Sequence, residues 1–323
     1  MKGISEMVEA GPFRSKTIET VAVVGSGLIG GAWAAYFLSR GLRVRAHDPQ
    51  PGAESRLRKT VDDALHDLSQ LNPVASACAD NLLFFGQLED ALNGCDYVQE
   101  NAPEKQVLKQ DLLAAIDAIA APDVVIGSST SSFMASELQL RCRHPERVLV
   151  AHPFNPPHLV PLVELVRGTA TARAAQDAAY AFMERIGKVP IKVTREAPGH
   201  VANRMTAALW REAVNIVAEG IASVADVDRA IRSGPGLRWA IDGPHMLYHL
   251  GGGEGGMAAY LKHLGPAQEA RWASLGKPKL DAETCAALVS GVEEEAAGQS
   301  IEELAARRDK LLIALLRTLE GTA

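Results

Sequence analysis

The sequence predicts an α/β protein: an N-terminal Rossmann-type, doubly wound, mostly parallel sheet followed by an all-α C-terminal domain. Three observations predict it. A β-branched run, Val21-Ala-Val-Val24, leads directly into the glycine-rich Gly25-Ser-Gly-Leu-Ile-Gly30. From there to Val166, short apolar runs alternate with stretches of helical spacing, the pattern of strands joined by crossover helices. Beyond Pro198 the strand signal stops and only helical spacing continues.

The first strand covers Val21 to Val24, and the spacing Gly25-x-Gly27-x-x-Gly30 after it matches a dinucleotide fingerprint. Gly25 makes the turn, Gly27 lets the backbone approach a pyrophosphate, and Gly30 lets helix pack on strand. Leu28 and Ile29 lie within the same cofactor-binding stretch. Phosphates would sit on the unpaired N–H groups that open the helix. The uncharged run from Val21 to Leu38 also has the length of a short membrane span, but its glycines, Ser26 and changing periodicity oppose that reading. A helix over Ala32–Ser39, a turn at Gly41 and a second strand over Arg43–Ala46 bring Asp48 to a strand end about 20 residues past the motif. A ribose 2′-hydroxyl needs an acceptor there, so Asp48 favours NAD over NADP; a solvated turn before Pro49 is the alternative.

Helical spacing over Gly52–Leu71 is broken by Asn72-Pro73; strands follow at Leu82–Phe85 and Asp96–Gln99, a helix at Asp111–Ile119, and strands at Val124–Gly127 and Val148–Ala151. Ligands bind beyond the carboxyl ends of such strands, so the loops starting at Glu100, Ser128 and His152 should face one crevice. Ser128-Ser-Thr-Ser-Ser132 clusters hydroxyls there, or caps a helix. Glu164 stands in the otherwise apolar Pro161-Leu-Val-Glu-Leu-Val166. A buried carboxylate is costly unless paired, and His152 is the nearest cation-capable group in the crevice.

The 323 residues are enough for two domains, and a net charge of −6 leaves no basic footprint for nucleic acid. Cys78, Cys95, Cys142 and Cys285 form no CxxC pair, which suits reduced thiols in a cytoplasm. The opening Met1-Lys-Gly-Ile-Ser-Glu6 carries no signal-peptide pattern, and residues 1–16 read as a loose arm. Domains are expected over 17–197 and 198–323, with the boundary near Arg195-Glu-Ala-Pro-Gly199. In the second, a helix runs from Val201 to Glu219 and ends at Gly220. Ser223-x-x-Asp226 starts another that Gly234 stops, and Ser300-x-x-Glu303 is a capping box for an amphipathic helix running to the C-terminus. His245 and His249 share helical spacing, but no third ligand accompanies them, so no metal is expected.

Together, Gly25-Ser-Gly-Leu-Ile-Gly30, Ser129-Thr-Ser-Ser132, His152-Pro-Phe-Asn-Pro156, Leu162-Val-Glu-Leu165 and Pro198-Gly-His-Val-Ala-Asn-Arg204 resemble the L-3-hydroxyacyl-CoA dehydrogenase family over nearly the whole chain. Within that family the likeness is strongest to the branch acting on free 3-hydroxy acids, the L-carnitine and L-gulonate 3-dehydrogenases related to lambda-crystallin. The resemblance implies NAD as cofactor, His152 as general base and Glu164 as its orienting partner, an imidazole with an ordinary pKa near ~6.5 being able to take the hydroxyl proton at neutral pH. It places Ser131 and Asn203 at the reacting oxygen and nearby substrate groups. Glu104, Lys109, Ser131 and Asn155 fall by the same likeness along the nicotinamide half of the cofactor, although Glu104 and Lys109 by themselves read as a solvated helix start. A homodimer through the helical domain is implied as well.

One departure separates the branches. Where members using CoA esters carry a cation cluster, this chain reads Leu57-Arg-Lys-Thr-Val-Asp-Asp-Ala-Leu-His-Asp67, which disfavours a phosphate-bearing ester. Phe133, Trp239 and Tyr248 could offer π-faces to a quaternary ammonium such as carnitine's, or simply belong to the core. Asp242-Gly-Pro-His245 departs from the carnitine-like pattern. The expectation is a cytoplasmic, NAD-dependent dehydrogenase of a small 3-hydroxy acid, carnitine-like first and gulonate-like second. A 3-hydroxyacyl-CoA dehydrogenase and a non-catalytic NAD-binding protein are the alternatives.

Overall fold

The computed structural model describes residues 13, 17–71 and 81–320. The expected arm over 1–16 lies, apart from residue 13, outside the described residues, as do the break at Asn72-Pro73 and Cys78. Eight strands form one sheet: β1 (Thr20–Val24), β2 (Arg43–His47), β3 (Leu82–Phe85), β4 (Tyr97–Glu100), β5 (Val125–Ser128), β6 (Val148–Pro153), β7 (Leu162–Arg167) and β8 (Val189–Val193). Their order is β3-β2-β1-β4-β5-β6-β7-β8, and every neighbouring pair is parallel except β6 with β7. The order reverses direction between β1 and β4, which opens a crevice at their carboxyl ends.

Alternation along β1 explains why both faces of the sheet are covered. Val21 and Val23 enter one core with Trp33, Phe37 and Leu57, while Ala22 and Val24 enter another with Val98, Leu113, Ile126 and Val150. Helices α1 (Leu28–Ser39), α2 (Ala53–Leu71), α3 (Leu88–Leu92), α4 (Gln106–Ile119), α5 (Ala135–Leu138) and α6 (Arg173–Arg185) accompany the sheet. Trp33 and Phe37 stack with ring centroids 5.0 Å apart, and each is fully buried. Burying such a side chain stabilises the fold by about 1.5–3 kcal/mol.

The structure lengthens several expected elements. α1 begins at Leu28 rather than Ala32, so Gly30 and Gly31 are helical despite glycine's poor propensity. Packing decides this: a Cβ on Gly30 would lie 1.9 Å from the Gly25 carbonyl oxygen, and one on Gly31 would meet the Thr60 side chain. α4 begins at Gln106 rather than Asp111, and β6 extends through Pro153, so His152 belongs to the strand itself. α6 and β8 were not expected. β8 contains Pro190, tolerated because the strand is at the sheet edge and pairs only with β7.

From Ala202 onward the described chain holds helices and no strand: α7 (Ala202–Ala218), α8 (Val224–Ser233), α9 (Pro235–Trp239), α10 (Pro244–Gly251), α11 (Gly256–Ser274), α12 (Ala282–Ala296) and α13 (Ile301–Glu320). Side chains open three of them, because the first N–H groups of a helix lack internal partners. Ser223 Oγ accepts from Asp226 N at 3.1 Å, Asp281 from Thr284 N at 2.9 Å, and Ser300 with Glu303 forms the expected reciprocal box. Contacts divide the chain into two compact units, Met1–Arg204 with Asp309–Arg317, and Met205–Arg308 with Thr318–Ala323. Among the described residues no helix is long and apolar enough to cross a membrane.

Candidate active site

The glycine loop leaves a cradle at the start of α1. Gly25 adopts φ 90°, and a Cβ there would strike the Asn101 carbonyl carbon at 2.7 Å, so only glycine turns the chain at this point. Gly27 caps α1 with no side-chain hydrogen bond and has open space where its Cβ would be. The first N–H groups of a 12-residue helix therefore face a volume that a diphosphate can enter. Gly30 packs against the carbonyl of Gly25, which directly follows β1, a close approach that a side chain would block. Leu28 is exposed at the rim, and Ile29 lines the adjoining cavity. Asp48, past the end of β2, accepts from Ser26 N at 2.9 Å and Ser26 Oγ at 3.1 Å, which ties it to the same loop. Its second oxygen accepts from Gln50 N at 2.9 Å. These residues fit a dinucleotide.

A cavity of about 360 Å³ adjoins the cradle, lined by Ile29, Ser129, Ser131, His152, Asn155 and Asn203, among others. His152 and Glu164 are directly opposite residues of the antiparallel β6–β7 pair and so project from the same face. That register converts a separation of 12 residues into a hydrogen bond of 2.8 Å between His152 Nδ1 and Glu164 Oε2. The other carboxylate oxygen accepts Val201 N at 2.8 Å and Ala202 N at 3.0 Å, the donors that open α7. Burial pushes the Glu164 pKa up, but the His152 bond and the two backbone donors outweigh it and hold the carboxyl below its ordinary range. An ionised carboxylate can only accept, so His152 Nδ1 donates to it, which leaves Nε2 as the nitrogen through which a proton can be exchanged. The arrangement is an imidazole of fixed orientation on the wall of a cavity, with Nε2 available for general acid–base chemistry.

Glu104 and Lys109 are placed differently from a solvated helix start. Lys109 is buried, with Nζ 2.9 and 3.2 Å from the oxygens of the fully buried Glu100 and 3.6 Å from Glu104. Glu100 also accepts from Ser128 Oγ and from Ala102 N. Glu104 Oε1 accepts from Thr130 Oγ1 at 2.6 Å, Ser131 N at 3.0 Å and Ser132 N at 2.9 Å, and so shapes the serine loop. Burial raises its pKa, while the Thr130 bond, Lys109 and the two backbone donors together lower it by more, and the net shift is downward.

Three residues of the site carried no role in the sequence reading. Ser129 lines the cavity and accepts from Gln99 Nε2 at 2.7 Å. Lys188, buried, stands 3.7 Å from the Tyr36 ring centroid and donates to the carbonyls of Pro157 and Val160, bracing the β6–β7 loop that carries Asn155. His200 packs its ring against His152. Phe133 is partly buried against the core beneath α4 and α5. Trp239 and Tyr248 belong to the second unit, where both are exposed and Tyr248 packs on Tyr260 with ring centroids 4.9 Å apart. His249 Nδ1 accepts from Met257 N, and among the described residues no group of three His, Cys, Asp or Glu could hold a metal.

The chain has clear relatives among known proteins. Residues 20–197 match the model for the 3-hydroxyacyl-CoA dehydrogenase NAD binding domain, and 199–288 the model for its C-terminal domain. The chain is 49% identical to an L-carnitine dehydrogenase of Nocardiopsis dassonvillei, covering 97% of this chain and 95% of that one. It is 43% identical to another from Pseudomonas aeruginosa, covering 94% and 95%. Among solved structures, an NAD+-dependent 5-formyl-3-hydroxy-2-methylpyridine 4-carboxylic acid 5-dehydrogenase superposes with a TM-score of 0.80 at 29% identity, covering 94% and 99%. The (S)-3-hydroxybutyryl-CoA dehydrogenase of Ralstonia eutropha gives 0.63 at 29%, covering 87% and 95%. With its fingerprint loop, its acid past the second strand and both family domains in order, the chain belongs to the 3-hydroxyacyl-CoA dehydrogenase family and is an NAD-dependent oxidoreductase acting on a CH–OH group.

Proposed function

We propose that this protein oxidises the 3-hydroxyl of L-carnitine, or of a closely similar small free 3-hydroxy acid, to the 3-oxo acid. The observation that carries the reading is the 2.8 Å bond from Glu164 to His152, which lines the cavity together with Ile29 of the fingerprint helix. His152 Nε2 accepts the hydroxyl proton as the carbonyl forms, and Glu164 stabilises the imidazolium. Ser131 and Asn203 hold the reacting oxygen and its neighbours, while Asn155 and the Glu104-shaped serine loop border the nicotinamide. Bound NAD would supply the acceptor for the hydride that leaves C3. Gly25, Gly27 and Gly30 with the α1 N-terminus seat its diphosphate, and Asp48 its ribose.

A free acid is supported by α2. Lys59 Nζ bonds Asp63 at 2.7 Å and Arg58 bonds Glu54 at 2.7 Å on an exposed face of that helix, so each cation stands beside an acid that opposes a phosphate. The high identity to L-carnitine dehydrogenases supports carnitine over gulonate. The protein works as a homodimer in a reducing cytoplasm. On α7, Met205 and Trp210 are exposed while only Val214 is buried, an apolar face that wants a second copy.

The test is NADH formation with L-carnitine, L-gulonate and L-3-hydroxybutyryl-CoA at equal concentration. Turnover of L-carnitine at a kcat/KM at least tenfold above the other two is expected. Preference for the CoA ester refutes the substrate assignment, and no turnover beside intact NADH binding makes the protein a non-catalytic binder. Sedimentation distinguishes dimer from monomer.

A further inference from the structure

His200 is the least conventional residue of the site. It is 2% exposed and adopts φ 51°, a left-handed conformation that residues other than glycine rarely take up. Strain of that kind persists only where the surroundings hold it. Here three contacts do so. Nε2 lies 3.2 Å from the Thr130 carbonyl, the ring centroid lies 5.2 Å from that of His152 at an interplanar angle of 53°, and the following N–H groups of Val201 and Ala202 bond Glu164. A carbonyl only accepts, so His200 Nε2 carries the proton and Nδ1 bears a lone pair, buried with no hydrogen-bond partner.

These contacts join the serine loop, β6, β7 and the start of α7. Thr130 immediately precedes Ser131, His152 and Glu164 are the base pair, and Asn203 follows His200 on the first turn of α7. Resting on the dehydrogenase reading, we propose that His200 is a positioning residue, a neutral imidazole strut that fixes the Ser131 loop, the His152 ring and the Glu164-capped start of α7 in one geometry. Neutrality is part of the role. A second cation against His152 would oppose its uptake of the substrate proton, whereas an uncharged ring fills the same space without that repulsion. Burial lowers the His200 pKa most; the Thr130 bond raises it, His152 lowers it, Glu164 and Glu104 raise it, and the net shift is downward.

The test pairs two variants with one measurement that needs no turnover. His200→Leu keeps bulk but loses the donor; His200→Gln returns an N–H near the Nε2 position. A misplacement of reacting groups by about 1 Å costs roughly a hundredfold, so His200→Leu should lower kcat about tenfold to a hundredfold while KM for NAD stays within about twofold, and His200→Gln should recover most of the loss. Equal losses in both variants, or a loss carried by KM for NAD, overturn the proposal. The 15N imidazole spectrum of the wild-type NADH complex should show His200 as the Nε2–H tautomer, more than half neutral at pH ~6.5, the ordinary imidazole midpoint. The other tautomer or a cation there overturns it too, even if no 3-hydroxy acid proves to be a substrate.

Discussion

Replacing Glu164 by glutamine probes the base pair with almost no change of shape. The carboxylate satisfies donors on both sides, His152 Nδ1–H on Oε2 and the N–H groups of Val201 and Ala202 on Oε1. A glutamine amide has one oxygen, and two backbone donors outbid one imidazole for it. Its NH2 then faces His152 Nδ1, which must become the acceptor, so Nε2 takes the proton and can no longer act as base. The reverse orientation sets NH2 against two N–H groups at about 1–3 kcal/mol for donors left unsatisfied. The charge-assisted bond that stabilises the imidazolium is lost either way, at about 1.5–3 kcal/mol. Together about 2.5–6 kcal/mol leaves the barrier unstabilised, a fall in kcat of roughly two to four powers of ten. NADH formation under saturating NAD measures it, with NADH fluorescence titration as the control that cofactor binding survives. A Glu164→Gln enzyme within tenfold of wild type would refute the orienting role.

Other consequences are as specific. Gly30→Ala places a Cβ 1.9 Å from the Gly25 carbonyl and should cost the fold at least about 1–3 kcal/mol in urea unfolding. Gly27→Ala has room, so it should leave stability unchanged while raising the NADH Kd. Asp48→Ala removes the ribose acceptor and should raise KM for NAD about tenfold to a hundredfold in initial-rate assays, narrowing the gap to NADP. Burial leads in lowering the pKa of both His158 and His200, so between those values and ~6.5 the unfolded chain binds protons that the native one does not. Stability should therefore fall as pH drops below ~6.5, by about 1.4 kcal/mol per pH unit for each histidine, and thermal melts of wild type and His200→Leu should show the slope reduced in the variant.

Much of the fold was legible because its signals are local. β3 lies at its expected residues, Leu82–Phe85, and β2 within one residue of its expected end, since apolar strands bounded by turns carry their own boundaries. Elements set by tertiary contact were not. The first turn of α1 contains two glycines that propensity rejects, and close packing against Gly25 and Thr60 makes them helical. β8 exists because β7 offers it an edge. In the site, Glu164 announced itself as a charge in an apolar run, and its cost on burial pointed to a partner. His200 gave no such signal, because a histidine between Gly199 and Val201 looks like any loop residue until the left-handed turn places it on His152.

The single antiparallel pairing explains why the site stands where it does. In a wholly parallel sheet, β7 would run alongside β6 and its carboxylate would meet a different register. Reversing β7 sets Glu164 opposite His152 one residue before the end of β6, and the same carboxylate then faces outward to receive the start of α7. A buried charge that would be costly alone becomes a joint between sheet and helix, with three donors converging on it. Asn203 enters the cavity on the first turn of the helix that Glu164 caps, so the group orienting the base also locates a group expected at the substrate. Orientation of the imidazole and placement of Asn203 are thus one structural fact, and a change at Glu164 should disturb both together.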